Sequence, residues 1–132
     1  METGMQSNSG VVGALPGMSR QEQVIINNLV QRVYLILEFS QMLAASRTDR
    51  GRVRLGVSAT STFYGRITRL PASDLLAHAG VRRGLGQDFR RIHAAIDTCE
   101  NLCRANDLPQ EIVADGRAAV RDLGRRFGIQ SA

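Results

Sequence analysis

The sequence predicts a mainly α-helical fold of about four helices, with a long, very apolar first helix and a short β-hairpin or loop insertion at residues 50–68. Three observations predict it. Apolar residues recur at helical spacing over most of the chain beyond residue 18. Rings are sparse (Tyr34, Tyr64, Phe39, Phe63, Phe89, Phe127, no Trp), so aliphatic and alanine packing must supply the core, which favours helices over a sandwich. At 132 residues the chain fits one domain with a sizeable core, and 43% hydrophobic with 22% charged residues is the balance of an ordinary globular protein. The expected organisation is a flexible arm at 1–18 and a single helical domain at 19–129.

Residues 1–18 mix Gly, Ser, Asn, Met and Pro with a single charge, as in a mobile arm. Ser19 followed by Glu22 is a capping-box signature, and a helix follows to about Ala45. Its run from Val33 to Leu37 is apolar all round, so it must be buried on more than one side. Arg32 and Glu38 bracket that run, which is far short of the roughly 20 apolar residues a membrane span needs. Either the other helices wrap this one, or it also meets its copy in a dimer. The dimer is the preferred reading, with Ile26, Leu29, Val33, Ile36 and Leu37 as the interface.

From Ser46 to Leu70 the helical pattern lapses. Arg52 to Val57 alternates at the strand period, and Phe63 to Ile67 is placed to pair back as a hairpin; an arginine-rich loop is the alternative. Pro71 opens a short helix over Ala72–Ala79 with Gly80 as its cap. After a break at Gly84 and Gly86, a longer helix spans Gln87–Asn106, with Phe89, Ile92, Ile96, Cys99, Leu102 and Cys103 on its inner face. Asp107, Pro109 and Gln110 start a last helix, whose stripe of Ile112, Gly116, Ala119, Val120, Leu123 and Phe127 ends at a Gly128 cap.

The stretch from Asp74 to Ile92, a short helix, then Ala79-Gly80-Val81, then a second helix, is similar to the helix-turn-helix of many bacterial repressors. The resemblance covers about nineteen residues and implies a DNA-reading second helix; the alternative reading, which the residues favour, is an ordinary helix-helix corner with a glycine cap. Gly84, Gly86 and Asp88 depart from that family, which begins its second helix with small polar residues.

The charge is distinctive. All 17 basic side chains are arginine, and lysine is absent. Residues 47–91 hold ten arginines against Asp49, Asp74 and Asp88, a local excess of +7, whereas the rest of the chain carries −2. Guanidinium groups grip phosphate bidentately and stack on bases, so uncompensated arginine points to a polyanion partner. A genome that favours arginine codons would also remove lysine.

Chemistry beyond binding finds little support. Cys99 and Cys103 lie on the core stripe, and His93 is turned about 120° from Cys99 around the helix, so a zinc site with His93 or His78 does not converge. Neither histidine has a nucleophile or carboxylate beside it in a catalytic pattern. Glu111 and Asp115 favour the positive end of the last helix dipole, and Asp88/Arg91, Glu100/Arg104 and Asp122/Arg126 read as surface ion pairs. The glycine clusters lack a phosphate-loop context and its lysine. Neither catalysis, a metal nor a cofactor is expected.

The reading is therefore a small cytoplasmic, dimeric nucleic-acid-binding regulator, DNA in preference to RNA. Its expected contacts are Arg47, Arg50, Arg52, Arg54, Tyr64, Arg66 and Arg69, with Arg82, Arg83, Arg90 and Arg91. The alternative is a helical interaction module (an adaptor, anti-activator or assembly component) that binds an acidic protein partner and docks through its apolar first helix.

Overall fold

A computed structural model describes residues 18–69 and 78–129. Among them are four helices and no strand: α1 Arg20–Leu43, α2 Arg47–Ile67, α3 Ala79–Ala105 and α4 Glu111–Arg126. The arm up to residue 17 and most of the helix expected at 72–79 lie outside the described residues.

Local chemistry sets the start of α1. The Ser19 hydroxyl accepts the Glu22 amide at 3.1 Å, and Glu22 Oε1 accepts the Ser19 amide at 3.2 Å, which satisfies two donors that a bare helix end would leave open. Ser46 repeats the device: its hydroxyl accepts the Asp49 amide at 3.1 Å and starts α2.

The hairpin expected at residues 50–68 is not formed; α2 runs through the whole segment. The alternation in Arg52–Val57 is a fragment of a longer helical stripe. Val53, Gly56, Thr60, Phe63 and Ile67 recur at intervals of three and four and are all buried. The hydroxyl-rich stretch does not break the helix, because Thr60 and Thr62 donate to the carbonyls of Gly56 and Ser58 one turn back, at 2.8 and 2.9 Å.

Ala79-Gly80-Val81 is likewise no turn but the first turn of α3, which continues through Gly84 and Gly86 to Ala105. The turn expected at these residues is therefore not formed, and most of the helix expected before it lies outside the described residues. Beyond Ala105, Asp107 takes a left-handed conformation (φ 55°). Its amide donates to the Arg104 carbonyl, and that of Leu108 donates to the Cys103 carbonyl at 2.9 Å. Gly128 does the same for α4 (φ 66°), with the Ile129 amide on the Gly124 carbonyl at 2.7 Å. The second cap is made by the residue that adopts this backbone freely, and the first is not. Asp107→Gly should therefore raise stability by about 0.5–1 kcal/mol in urea titration.

Successive helices run antiparallel. Leu37 meets Gly56 and Asn27 meets Tyr64 across α1 and α2, while Gly56 meets Ala95 and Arg66 meets Asp88 across α2 and α3. Helix α4 closes the ring against α1, where Gly116 lets the Ile36 side chain sit against its backbone. Phe63 joins the layers, its ring edge-on to Phe89 (4.9 Å) and to Phe127 (5.7 Å).

Helix α1 touches all three others. That contact explains its apolar run. Ile26, Leu29, Val33, Ile36 and Leu37, expected at a contact between copies, are 3% exposed or less and are covered by the chain's own helices. Burying each contributes about 1.5–3 kcal/mol to the fold, and none is left at the surface for a partner. Among the described residues no helix is long and apolar enough to cross a membrane.

Candidate nucleic-acid interface

Helix α2 presents arginine mainly in its first two turns. Arg47, Arg50 and Arg54 point away from the buried stripe and are exposed; Arg52, also exposed, leans toward α3. Arg47 and Arg50 stand at the positive end of the helix dipole, where a cation is disfavoured unless an anion offsets it. Arg69 is exposed just beyond the C-terminal end of α2.

On α3, Arg82, Arg83 and Arg90 border an open cleft of about 440 Å³, completed by Gln87, Gly86 and, from the end of α4, Gly128 and Ile129. Here again the basic residues gather near a helix N-terminus. No acid lies in the first turn of α3, and His78 gives no side-chain cap. A second cleft, of about 380 Å³, lies between α2 and α3 and is bordered by Arg52, Leu55, Arg91, Asp97, Thr98 and Asn101.

Together these positions trace a diagonal band in three groups, not one continuous face. The groups are the outer face of α2 at Arg47, Arg50 and Arg54, the interhelical cleft at Arg52 and Arg91, and the start of α3 at Arg90, Arg83 and Arg82. Arg52 lies about 160° around α2 from Arg50 and Arg54. Because α2 and α3 are antiparallel, its ends lie about 30 Å apart at 1.5 Å of rise per residue. Among the described residues, only Arg66 and Arg91 of the arginines between 47 and 91 meet a carboxylate, and both meet Asp88. Outside that stretch four of seven arginines are paired: Arg32 holds Asp115, Arg117 holds Asp97 and Glu100, Arg104 holds Glu100, and Arg125 holds Asp122, while Arg20, Arg121 and Arg126 meet no carboxylate among the described residues.

Three of the expected contact residues do not belong to the band: Arg69 stands apart past the far end of α2, and Arg66 and Tyr64 are tied to neighbouring helices. Arg66 Nε donates to Asp88 Oδ2 at 2.9 Å, and its guanidinium lies so close over Gly84 that a β-carbon there would stand 2.8 Å from Cζ. Asp88, expected in a surface pair with Arg91, is fully buried, and Arg91 approaches its other oxygen only to 3.9 Å. Asp122 pairs with Arg125 instead of Arg126. Tyr64 is half-buried between α1 and α2, where its hydroxyl donates to Asn27 Oδ1 at 2.9 Å, and burial holds that hydroxyl above the ordinary phenol range. Phe63 is core. The rings interleaved with these arginines are thus occupied inside the fold.

The sequence reading missed Gly84 and Asp88 as the seat of Arg66, and Gln87 with the Gly128–Ile129 end as the border of the α3 cleft. The first had a faint signal, a glycine and an acid four residues apart on one helix face. The second had none, because it depends on where α4 ends against α3.

Cys99 and Cys103 are buried and unpaired thiols, and burial pushes Cys99 up to about 11, far from a reactive thiolate at neutral pH. Burial, aided by Arg117, lowers the His93 pKa. Among the described residues no three His, Cys, Asp or Glu side chains gather as a metal site would require.

Set against known protein families, characterised proteins and solved structures, the chain matches none.

Proposed function

We propose that the protein binds nucleic acid through the diagonal arginine band and acts as a regulator of the molecule it occupies. The observation that carries this reading is the contrast in pairing. Among the described residues Arg47, Arg50, Arg52, Arg54, Arg69, Arg82, Arg83 and Arg90 have no carboxylate, so two of the ten arginines between 47 and 91 are paired, while four of the seven outside that stretch take one or two acids. Uncompensated guanidinium groups, two sets of them at helix N-termini, attract phosphate. A band about 30 Å long is comparable with one turn of a duplex, about 34 Å. Duplex DNA is favoured over an unpaired strand because the band offers no free aromatic ring on which a base could stack. Regulation is favoured over turnover because guanidinium groups supply grip and no neutral-pH acid, base or nucleophile.

Fluorescence anisotropy with a labelled duplex tests the reading. The logarithm of the binding constant should fall linearly with that of salt, by about 0.9 per phosphate neutralised. Changing Arg82, Arg83 and Arg90 together to Gln should weaken binding by about tenfold or more and lower the slope by about 2.7, whereas Arg104→Gln, whose partner is Glu100, should change little. No binding of DNA or RNA at about 50 mM salt would overturn the proposal.

A further inference from the structure

The cleft of about 380 Å³ between α2 and α3 has the volume of a small-molecule site, and no side chain among the described residues fills it. Its middle is apolar. Ala94 and Ala95 bring no more than a methyl group each, and the Thr98 hydroxyl is taken by the Ala94 carbonyl at 3.4 Å. Leu55 forms the opposite wall and is 59% exposed, one of the few large apolar side chains left in the open.

The cations stand toward the two ends. Gly56 lies against Ala95 and Arg66 against Asp88, so in this antiparallel pair Arg52 is level with about residue 100 of α3. Arg52 and Arg91 are then about 13 Å apart along the cleft at 1.5 Å of rise per residue, with Leu55 and Ala94 between their levels. Neither charge is matched. Arg52 meets no carboxylate among the described residues, and Arg91 comes only within 3.9 Å of buried Asp88 Oδ1. The acid that borders the cleft, Asp97, is held at 2.7 Å by Arg117 of α4. Asn101, at the Arg52 end, adds a neutral donor.

The geometry points to a small organic acid with a carboxylate at each end of an apolar spacer as the ligand of this cleft. Each guanidinium grips one carboxylate, and the spacer lies over Leu55, Ala94 and Ala95. The order of cation, apolar floor and cation selects this class. A monoacid leaves one arginine unmatched, and inorganic phosphate leaves Leu55 bare. A protein partner would need about 800 Å² on this side, far more than a cleft about 13 Å long provides. The inference does not rest on nucleic-acid binding, because it concerns the chain and the acid alone.

Amide chemical-shift titration of the full chain with decanedioate tests it. Shifts should gather on α2 and α3 around the cleft, with a Kd of about 1 mM for a ligand of this size. Decanoate, with one carboxylate, should bind about fivefold more weakly, and succinate and inorganic phosphate, which cannot span the floor, more weakly still. Arg52→Gln breaks no ion pair among the described residues, so it should leave the melting temperature unchanged and weaken decanedioate about fivefold, to the level of decanoate. Leu55→Ser should weaken both long acids by a similar factor with the two charges in place. No saturable shifts at the cleft up to about 20 mM decanedioate, equal affinity for succinate and decanedioate, or an Arg52→Gln variant that binds decanedioate like the wild type would each overturn the proposal.

Discussion

Gly56→Ala should lower the unfolding free energy by about 2 kcal/mol, an unusual result for a change that favours helix formation. A β-carbon at position 56 would stand 2.3 Å from the Ala95 β-carbon and 3.0 Å from Leu37 Cδ2. Leu37 can turn its methyl group aside. Ala95 cannot, because its β-carbon is fixed to the α3 backbone, so the two helices must move apart where they cross. That movement loosens Phe63 against Phe89 one level along. Overpacking of this kind costs about 1–3 kcal/mol or more, against which alanine returns up to about 1 kcal/mol of helix propensity. Gly65, in the same helix, is the control: nothing lies within 4 Å of a β-carbon there, so Gly65→Ala should raise stability by about 0.5–1 kcal/mol. Urea titration of the two variants would separate a close helix crossing from a general dislike of glycine in α2. Equal shifts of the same sign would contradict this account.

The same glycines explain why α2 was hard to read. Gly51, Gly56 and Gly65, with the serines and threonines between them, have low helix propensity, and six residues that happen to alternate suggest a strand. Tertiary contact overrode propensity: the small side chains let α2 approach α3 and α1 closely, and the buried stripe from Val53 to Ile67 repays the weak local preference. Two signals for the helix were nevertheless in the sequence, the Ser46/Asp49 cap and the three-four spacing of that stripe. The capping box at Ser19 and the glycine cap at Gly128 were legible because each is complete within four or five residues. Ala79-Gly80-Val81 misled for the opposite reason, since a glycine that can cap one helix can equally begin the next. The site divides along the same line. That arginine is uncompensated between Arg47 and Arg91 follows from counting, but the removal of Arg66 into a buried pair depends on Asp88, 22 residues away, and on a glycine between turns.

Arg66→Ala should cost about 2–3 kcal/mol at neutral pH, and the cost should shrink on acidification. The Asp88 carboxylate is fully buried; Oδ2 accepts from Arg66 Nε at 2.9 Å, and Oδ1 has no hydrogen-bond donor. Removing Arg66 leaves a buried charge with only Arg91 near it, 3.9 Å away. Breaking a buried pair costs about 3–5 kcal/mol, and the figure here is lower because Arg66 itself is 35% exposed and Arg91 can move in. Burial raises the Asp88 pKa more than Arg66 and Arg91 lower it, so the folded chain keeps this proton to higher pH than the unfolded chain does. The sign follows. Asp88 contributes most to stability below its unfolded pKa of about 3.9, and that contribution is lost as pH rises through the folded value, the reverse of an ordinary salt-bridged carboxylate. Asp88→Asn keeps an oxygen for Arg66 and removes the titration, so its stability should lack that decline as pH rises above about 4. The double variant decides what the arginine does. If Arg66→Ala costs much less in the Asp88→Asn background, the guanidinium acts by neutralising a buried charge. If it costs the same, the side chain acts by packing over Gly84, and the charge it carries is incidental to the fold.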